Sequence, residues 1–70
     1  MNVEEKFNIE GIAGQMFQEM KDDGEGFDLF DHYWNRTEMN LLSRGYEKSE
    51  VKILGGLVMN KVEGLFEKEE

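Results

Sequence analysis

Ser49-Glu50-Val51-Lys52-Ile53-Leu54-Gly55-Gly56-Leu57-Val58-Met59-Asn60-Lys61-Val62-Glu63-Gly64-Leu65-Phe66 is the stretch whose periodicity decides the architecture of this chain. Val51, Leu54, Val58, Val62, Leu65 and Phe66 recur at intervals of one, three and four residues. At about 100° per residue they form one apolar stripe along a helix. The spacing predicts a helix over 50–67 with Ser49 as its N-cap, since a serine oxygen accepts a first-turn N–H. Gly55 interrupts the middle of the stripe. A glycine inside a helix costs about 0.5–1 kcal/mol relative to alanine, so its place there implies the close approach of another helix or an aromatic ring. Ile53 and Leu57 lie off the stripe, beside Gly56 and Gly64 on the same wheel, and make a second, flatter strip of the kind on which another helix packs.

Two further segments carry helical periodicity. Ile9, Ile12, Ala13, Met16, Phe17 and Met20 share a face, and Asn2 followed three residues later by Glu5 forms a capping-box pattern. The first helix is therefore expected over 3–21, with Asn8 as the other available cap. Gly11 and Gly14 lie opposite its stripe, which suits them only if Val3 and Phe7 fold over them. Asp22-Asp23-Gly24-Glu25-Gly26 supplies the turn chemistry that ends it. The second helix is expected over 27–44. Phe27, Phe30, Trp34 and Leu41 share its face, but Asp31 and Glu38 project near that face, so the pattern predicts a kink at 35–37 where Asn35 caps a fresh turn. Gly45 fits a left-handed residue after that helix, with Tyr46 folding back behind it. With no proline or cysteine, the reading is all-α: residues 1–70 form a single helical domain, a small three-helix bundle with a helix-turn-helix-like corner at Gly45.

The net charge of −8 is unevenly spread. Residues 1–31 carry −7, residues 32–62 carry +2, and the tail from Glu63 carries −3. Long-range repulsion disfavours nucleic acid and anionic membranes as partners of the whole surface and favours a basic protein surface. No apolar run approaches the roughly 20 residues that span a bilayer, and the N-terminus lacks signal-peptide character. A cytoplasmic location is expected.

The chemical inventory is thin. His32 is the single histidine, and no nucleophile with its base can be assembled by spacing. Asp28, Asp31 and His32 fall within one helical turn, but a lone histidine among carboxylates is the ordinary composition of a solvated helix face. No catalytic residue, metal or cofactor is assigned, and the chain is expected not to be an enzyme.

The segment from Leu41 to Leu54, with Gly45 in the turn, Tyr46 after it and Val51 and Leu54 anchoring the second helix of the pair, resembles a helix-turn-helix unit. The resemblance implies that Lys48, Ser49, Glu50, Lys52, Ile53 and Gly56 face DNA. Glu47 and Glu50 would then oppose phosphates, so the shape suits a protein contact better. Tyr33 with Thr37-Glu38-Met39-Asn40-Leu41 resembles a stretch of Sda, a small helical-hairpin inhibitor of a histidine kinase, which raises the expectation of an inhibitor without assigning a residue.

The sequence thus points to a small acidic regulator that binds and inhibits a protein partner with a basic surface, such as a nucleic-acid-binding protein whose DNA these acids imitate. A helix-turn-helix DNA-binding regulator is the alternative, and a homodimer is a second mode of association. The acids Asp22, Asp23, Glu25, Asp28 and Asp31 are expected to steer the partner. Tyr33, Trp34, Ile53, Gly56 and Leu57 are expected to supply the apolar anchor.

Overall fold

In the computed structural model, which describes residues 2–69, the chain is helical almost throughout. A short helix α1 (Val3–Lys6) precedes α2 (Ile9–Asp22); a 3₁₀ turn (Phe27–Leu29) leads into α3 (Phe30–Ser43), and α4 (Lys48–Lys68) is the longest element. The all-α bundle expected from the sequence is the observed fold. Among the described residues no helix is long and apolar enough to cross a membrane.

α4 is the axis of the bundle. Val51, Leu54, Val58 and Val62 of its stripe are fully enclosed, each contributing roughly 1.5–3 kcal/mol through burial. α2 lies parallel to α4: Glu10 pairs with Lys61, Phe17 meets Phe66 edge-on with centroids 4.8 Å apart, and Lys21 pairs with Glu69. α3 runs antiparallel to both. Trp34 rests on Gly55, Phe27 reaches Phe66, and Arg36 pairs back to Glu19.

The stretch expected as one helix over 3–21 is two helices, because both asparagines act as caps. The Asn2 side chain accepts from the Glu4 N–H, and the Asn8 side chain accepts from the Gly11 N–H, each at 3.0 Å. The break at Phe7 folds α1 across the end of the bundle at the start of α4. There Val3 and Phe7 are buried, the Phe7 ring packs against Tyr46 with centroids 5.0 Å apart, and Lys6 pairs with Glu50 at 2.8 Å. Val3 and Phe7 therefore cover the α3–α4 corner, not Gly11 and Gly14. A Cβ on Gly11 would strike its own cap, 2.6 Å from Asn8 Nδ2.

Both turns end on a left-handed glycine. Gly24 has φ 74° and Gly45 has φ 96°. In each, the following residue closes a six-residue loop, with Glu25 N–H donating to Met20 O and Tyr46 N–H donating to Leu41 O, the Schellman pattern. The second turn leaves Glu47 extended and begins α4 at Lys48, so Glu47 is the N-cap residue and Ser49 lies inside the first turn. The kink expected at 35–37 is absent. α3 runs unbroken, and Thr37 Oγ1 donates back to Tyr33 O within the helix at 3.5 Å. Asp31 is exposed and Glu38 half-buried, so both flank the apolar face without breaking it.

A Cβ added at Gly14, Gly56 or Gly64 meets nothing within 4 Å. Gly14 and Gly64 instead face each other across a shallow groove between α2 and α4 of about 450 Å³. Gly14→Ala and Gly64→Ala are therefore expected to stabilise the fold by about 0.5–1 kcal/mol each, read as a higher midpoint in urea denaturation.

Candidate functional site

The parallel packing of α2 and α4 brings two helix C-termini to one end of the bundle, beside the turn that starts α3. Glu19, Asp22, Asp23, Glu25, Asp28, Asp31, Glu67 and Glu69 all lie at this end, against Lys21 and Lys68. The opposite end balances Lys6, Arg44, Lys48 and Lys52 against Glu4, Glu5, Glu47 and Glu50. The charge read along the sequence is thus a property of one pole. Glu67 and Glu69 belong to it although they lie at the far end of the chain, and only the parallel course of α2 and α4 reveals them.

Local helix electrostatics explain part of this pole and not the rest. Asp28 lies in the 3₁₀ turn and Asp31 in the first turn of α3, where the helix dipole favours negative charge. Asp22 ends α2, Asp23 is its C-cap residue, Glu67 lies in the last turn of α4 and Glu69 is its C-cap residue. At those positions the dipole disfavours acids by about 0.3–1 kcal/mol each. Three of the four have cations or donors that offset this in part. Lys21 pairs with Glu69, and the Tyr33 hydroxyl donates to Asp23 Oδ2 at 2.6 Å. Among the described residues Asp22 has only the Gln18 amide at 2.9 Å, one turn back on its own helix.

The expected apolar anchor divides. Tyr33 and Trp34 are core residues, 6% and 8% exposed, which corrects their assignment to the surface. Trp34 stacks parallel on Phe30 and covers Gly55, and Tyr33 spends its hydroxyl on Asp23. Their spacing from Phe30 signals burial, and the glycine opposite makes the room that the indole needs. Leu57 is half-buried against the core, whereas Ile53 is 56% exposed and Gly56 is open. Ile53, Gly56 and Leu57 belong to the middle of α4, away from the acidic pole. Among the described residues no group of three or more His, Asp or Glu side chains is placed to hold a metal ion.

Tyr33 gives the pole a measurable signature. Its phenol is pushed up from 10.0 to about 12, chiefly by the hydrogen bond to Asp23 and then by loss of water around it. The unfolded chain releases this proton near pH 10 and the folded one near 12, so the stabilisation is complete below pH 10 and is lost as the pH rises to 12. Lys6, held above its ordinary value by its bond to Glu50, acts in the same direction. In ultraviolet titration the Tyr33 phenolate is expected to form near pH 12, and Asp23→Asn is expected to lower that midpoint. Tyr33→Phe is expected to remove part of the stability loss between pH 10 and 12.

Between α2 and α3 lies a second feature. Both helices rest on α4, but a cleft of about 410 Å³ separates them, floored by Ile12, Met16 and Leu41 and walled by Gln15, Thr37 and Asn40. Its end toward the pole is bridged by Glu19–Arg36 at 2.7 Å and by Asp23–Tyr33. Arg36 also lies over the Tyr33 ring, 5.3 Å from its centroid.

The corner at Gly45 joins α3 and α4 as an antiparallel hairpin, since Phe27 still meets Phe66 far from the turn. DNA-reading helix pairs instead cross at about 90–120°. Comparison of the chain with protein-family models, curated proteins and solved structures finds no match.

Proposed function

We infer that this protein is a non-enzymatic regulator that binds, and by binding inhibits, a protein presenting a basic surface, and that the acidic pole is the docking end. The observation that carries the reading is the placement of Asp22, Asp23, Glu67 and Glu69 at the C-terminal ends of two parallel helices. Stability alone selects cations there, and neither Asp22 nor Glu67 has an ion-pair partner among the described residues, so these two acids serve something outside the fold. Solubility needs negative charge, but it does not need it at the positions where the helices resist it.

In this reading the pole steers a basic partner by long-range attraction, and desolvated apolar contacts beside it fix the complex. The local likeness of Tyr33 and Thr37–Leu41 to a kinase inhibitor supports the inhibitory part. The helix-turn-helix alternative has less support: α3 and α4 run antiparallel, and Glu47 stays exposed beside the corner, where it would oppose phosphates.

The test is capture of the binding partner from the native cell with the wild-type chain and with Asp22→Lys/Glu67→Lys as baits. A basic protein retained by the wild type and lost from the variant is the expected result. Equal retention by both baits would remove the pole from the interaction.

A further inference from the structure

The geometry points to the α2–α3 cleft as the seat of a basic amphipathic helix of the partner, which lays an apolar side chain on Ile12 and Leu41 and a lysine or arginine on Glu19. The inference rests on the acidic-pole reading and specifies how that pole is engaged. In a three-helix bundle each pair of helices ordinarily covers the third; here α2 and α3 both lie on α4 and are held to each other by side-chain bridges. Ile12 and Leu41 lie on the core-facing stripes of their helices yet remain only half-buried, because none of the described residues covers them across the cleft. A fourth helix in this position would complete the bundle.

Charge selects the kind of helix. Glu19 stands at the polar end of the cleft with Asp23 beyond it, and Arg36 is the one cation among the residues lining it. The Glu19–Arg36 pair is solvent-exposed on both sides, and such pairs are worth only about 0–1 kcal/mol, so an incoming cation shares Glu19 at little expense. Seven residues separate Ile12 from Glu19 on α2, about 10 Å at 1.5 Å per residue. The occupant therefore needs an apolar residue and a cation about two helical turns apart. An acidic helix meets repulsion at the pole, and a wholly polar basic segment leaves the floor uncovered.

The probe is a synthetic 14-residue amphipathic helix of leucine and lysine, Ac-LKKLLKLLKKLLKL-NH₂, beside the same peptide with every leucine replaced by alanine. Methyl NMR of the full chain locates the contact, and titration gives the affinity. The expected result is that the leucine peptide shifts the Ile12, Met16 and Leu41 methyls and binds at least tenfold tighter than the alanine peptide. Gln15→Trp and Asn40→Trp fill the cleft from exposed positions on its two walls, and each is expected to weaken the leucine peptide at least tenfold with an unchanged thermal melt. Shifts centred on Ile53 and Met59, or wild-type affinity in both tryptophan variants, would overturn the inference. Equal binding of the two peptides, confined to the acidic pole, would overturn the cleft and leave the pole standing. Binding of neither peptide would count against both.

Discussion

Gly55→Leu is expected to leave the chain largely unfolded at 25 °C. A Cβ at this position falls 2.8 Å from both Cε2 and Nε1 of Trp34 and 3.0 Å from Cζ2. The indole has no retreat, because it is buried and stacked on Phe30 at an interplanar angle of 5°. Overpacking of this kind costs about 1–3 kcal/mol for small insertions and more for large ones, while a domain of this length holds roughly 3–10 kcal/mol in total. Gly55→Ala gains up to about 1 kcal/mol in helix propensity and loses more to the ring, so its midpoint in urea is expected to fall. Trp34→Phe in the same chain is expected to recover part of that loss, since the smaller ring vacates the space. Gly56→Leu, one residue on, points into open solvent and, gaining helix propensity as at Gly14 and Gly64, is expected to raise the midpoint. A wild-type melt for Gly55→Leu would show that the α3–α4 contact is not set by this glycine.

The second large effect joins stability to association in one variant with opposite signs. Asp22→Lys/Glu67→Lys places cations at the C-terminal ends of α2 and α4, where the dipole favours them. Each reversal is expected to add about 0.5–1 kcal/mol at low salt, less a few tenths for the lost Gln18–Asp22 bond. For a domain of this size 1 kcal/mol corresponds to roughly 4–8 °C in Tm, so the melt is expected to rise by several degrees. The same variant is expected to associate more slowly with its partner. A charge pattern kept only for solubility predicts no such opposition.

The helices are legible in the sequence because their apolar stripes are long and regular. Val51, Leu54, Val58 and Val62 occupy the core positions that their spacing assigns, and Gly45 takes the left-handed conformation that its turn requires. The division of the first helix is harder to see. Asn2 and Asn8 each carry a cap signal, and both are used once Phe7 gains a partner in Tyr46, a contact distant in sequence. The kink expected at 35–37 rests on Asp31 and Glu38 intruding into an apolar face, whereas they border it. The site is half legible. The acids of the 22–31 stretch stand out in the composition, but their union with Glu67 and Glu69 depends on α2 and α4 running parallel, which helical periodicity does not encode. Tyr33 and Trp34 are misplaced by the sequence reading for a related reason: aromatics suit both cores and interfaces, and only the space above Gly55 decides between them.

An acidic pole that steers a basic partner shows itself in the association rate and in its salt dependence. Stopped-flow association of the captured partner with the wild-type chain and with Asp22→Lys/Glu67→Lys, at 50 mM and 300 mM salt, tests it most directly. The pole predicts an on-rate at least tenfold lower for the variant at 50 mM, with the two rates converging at 300 mM as screening shortens the reach of charge. Equal on-rates at both salt concentrations would contradict it.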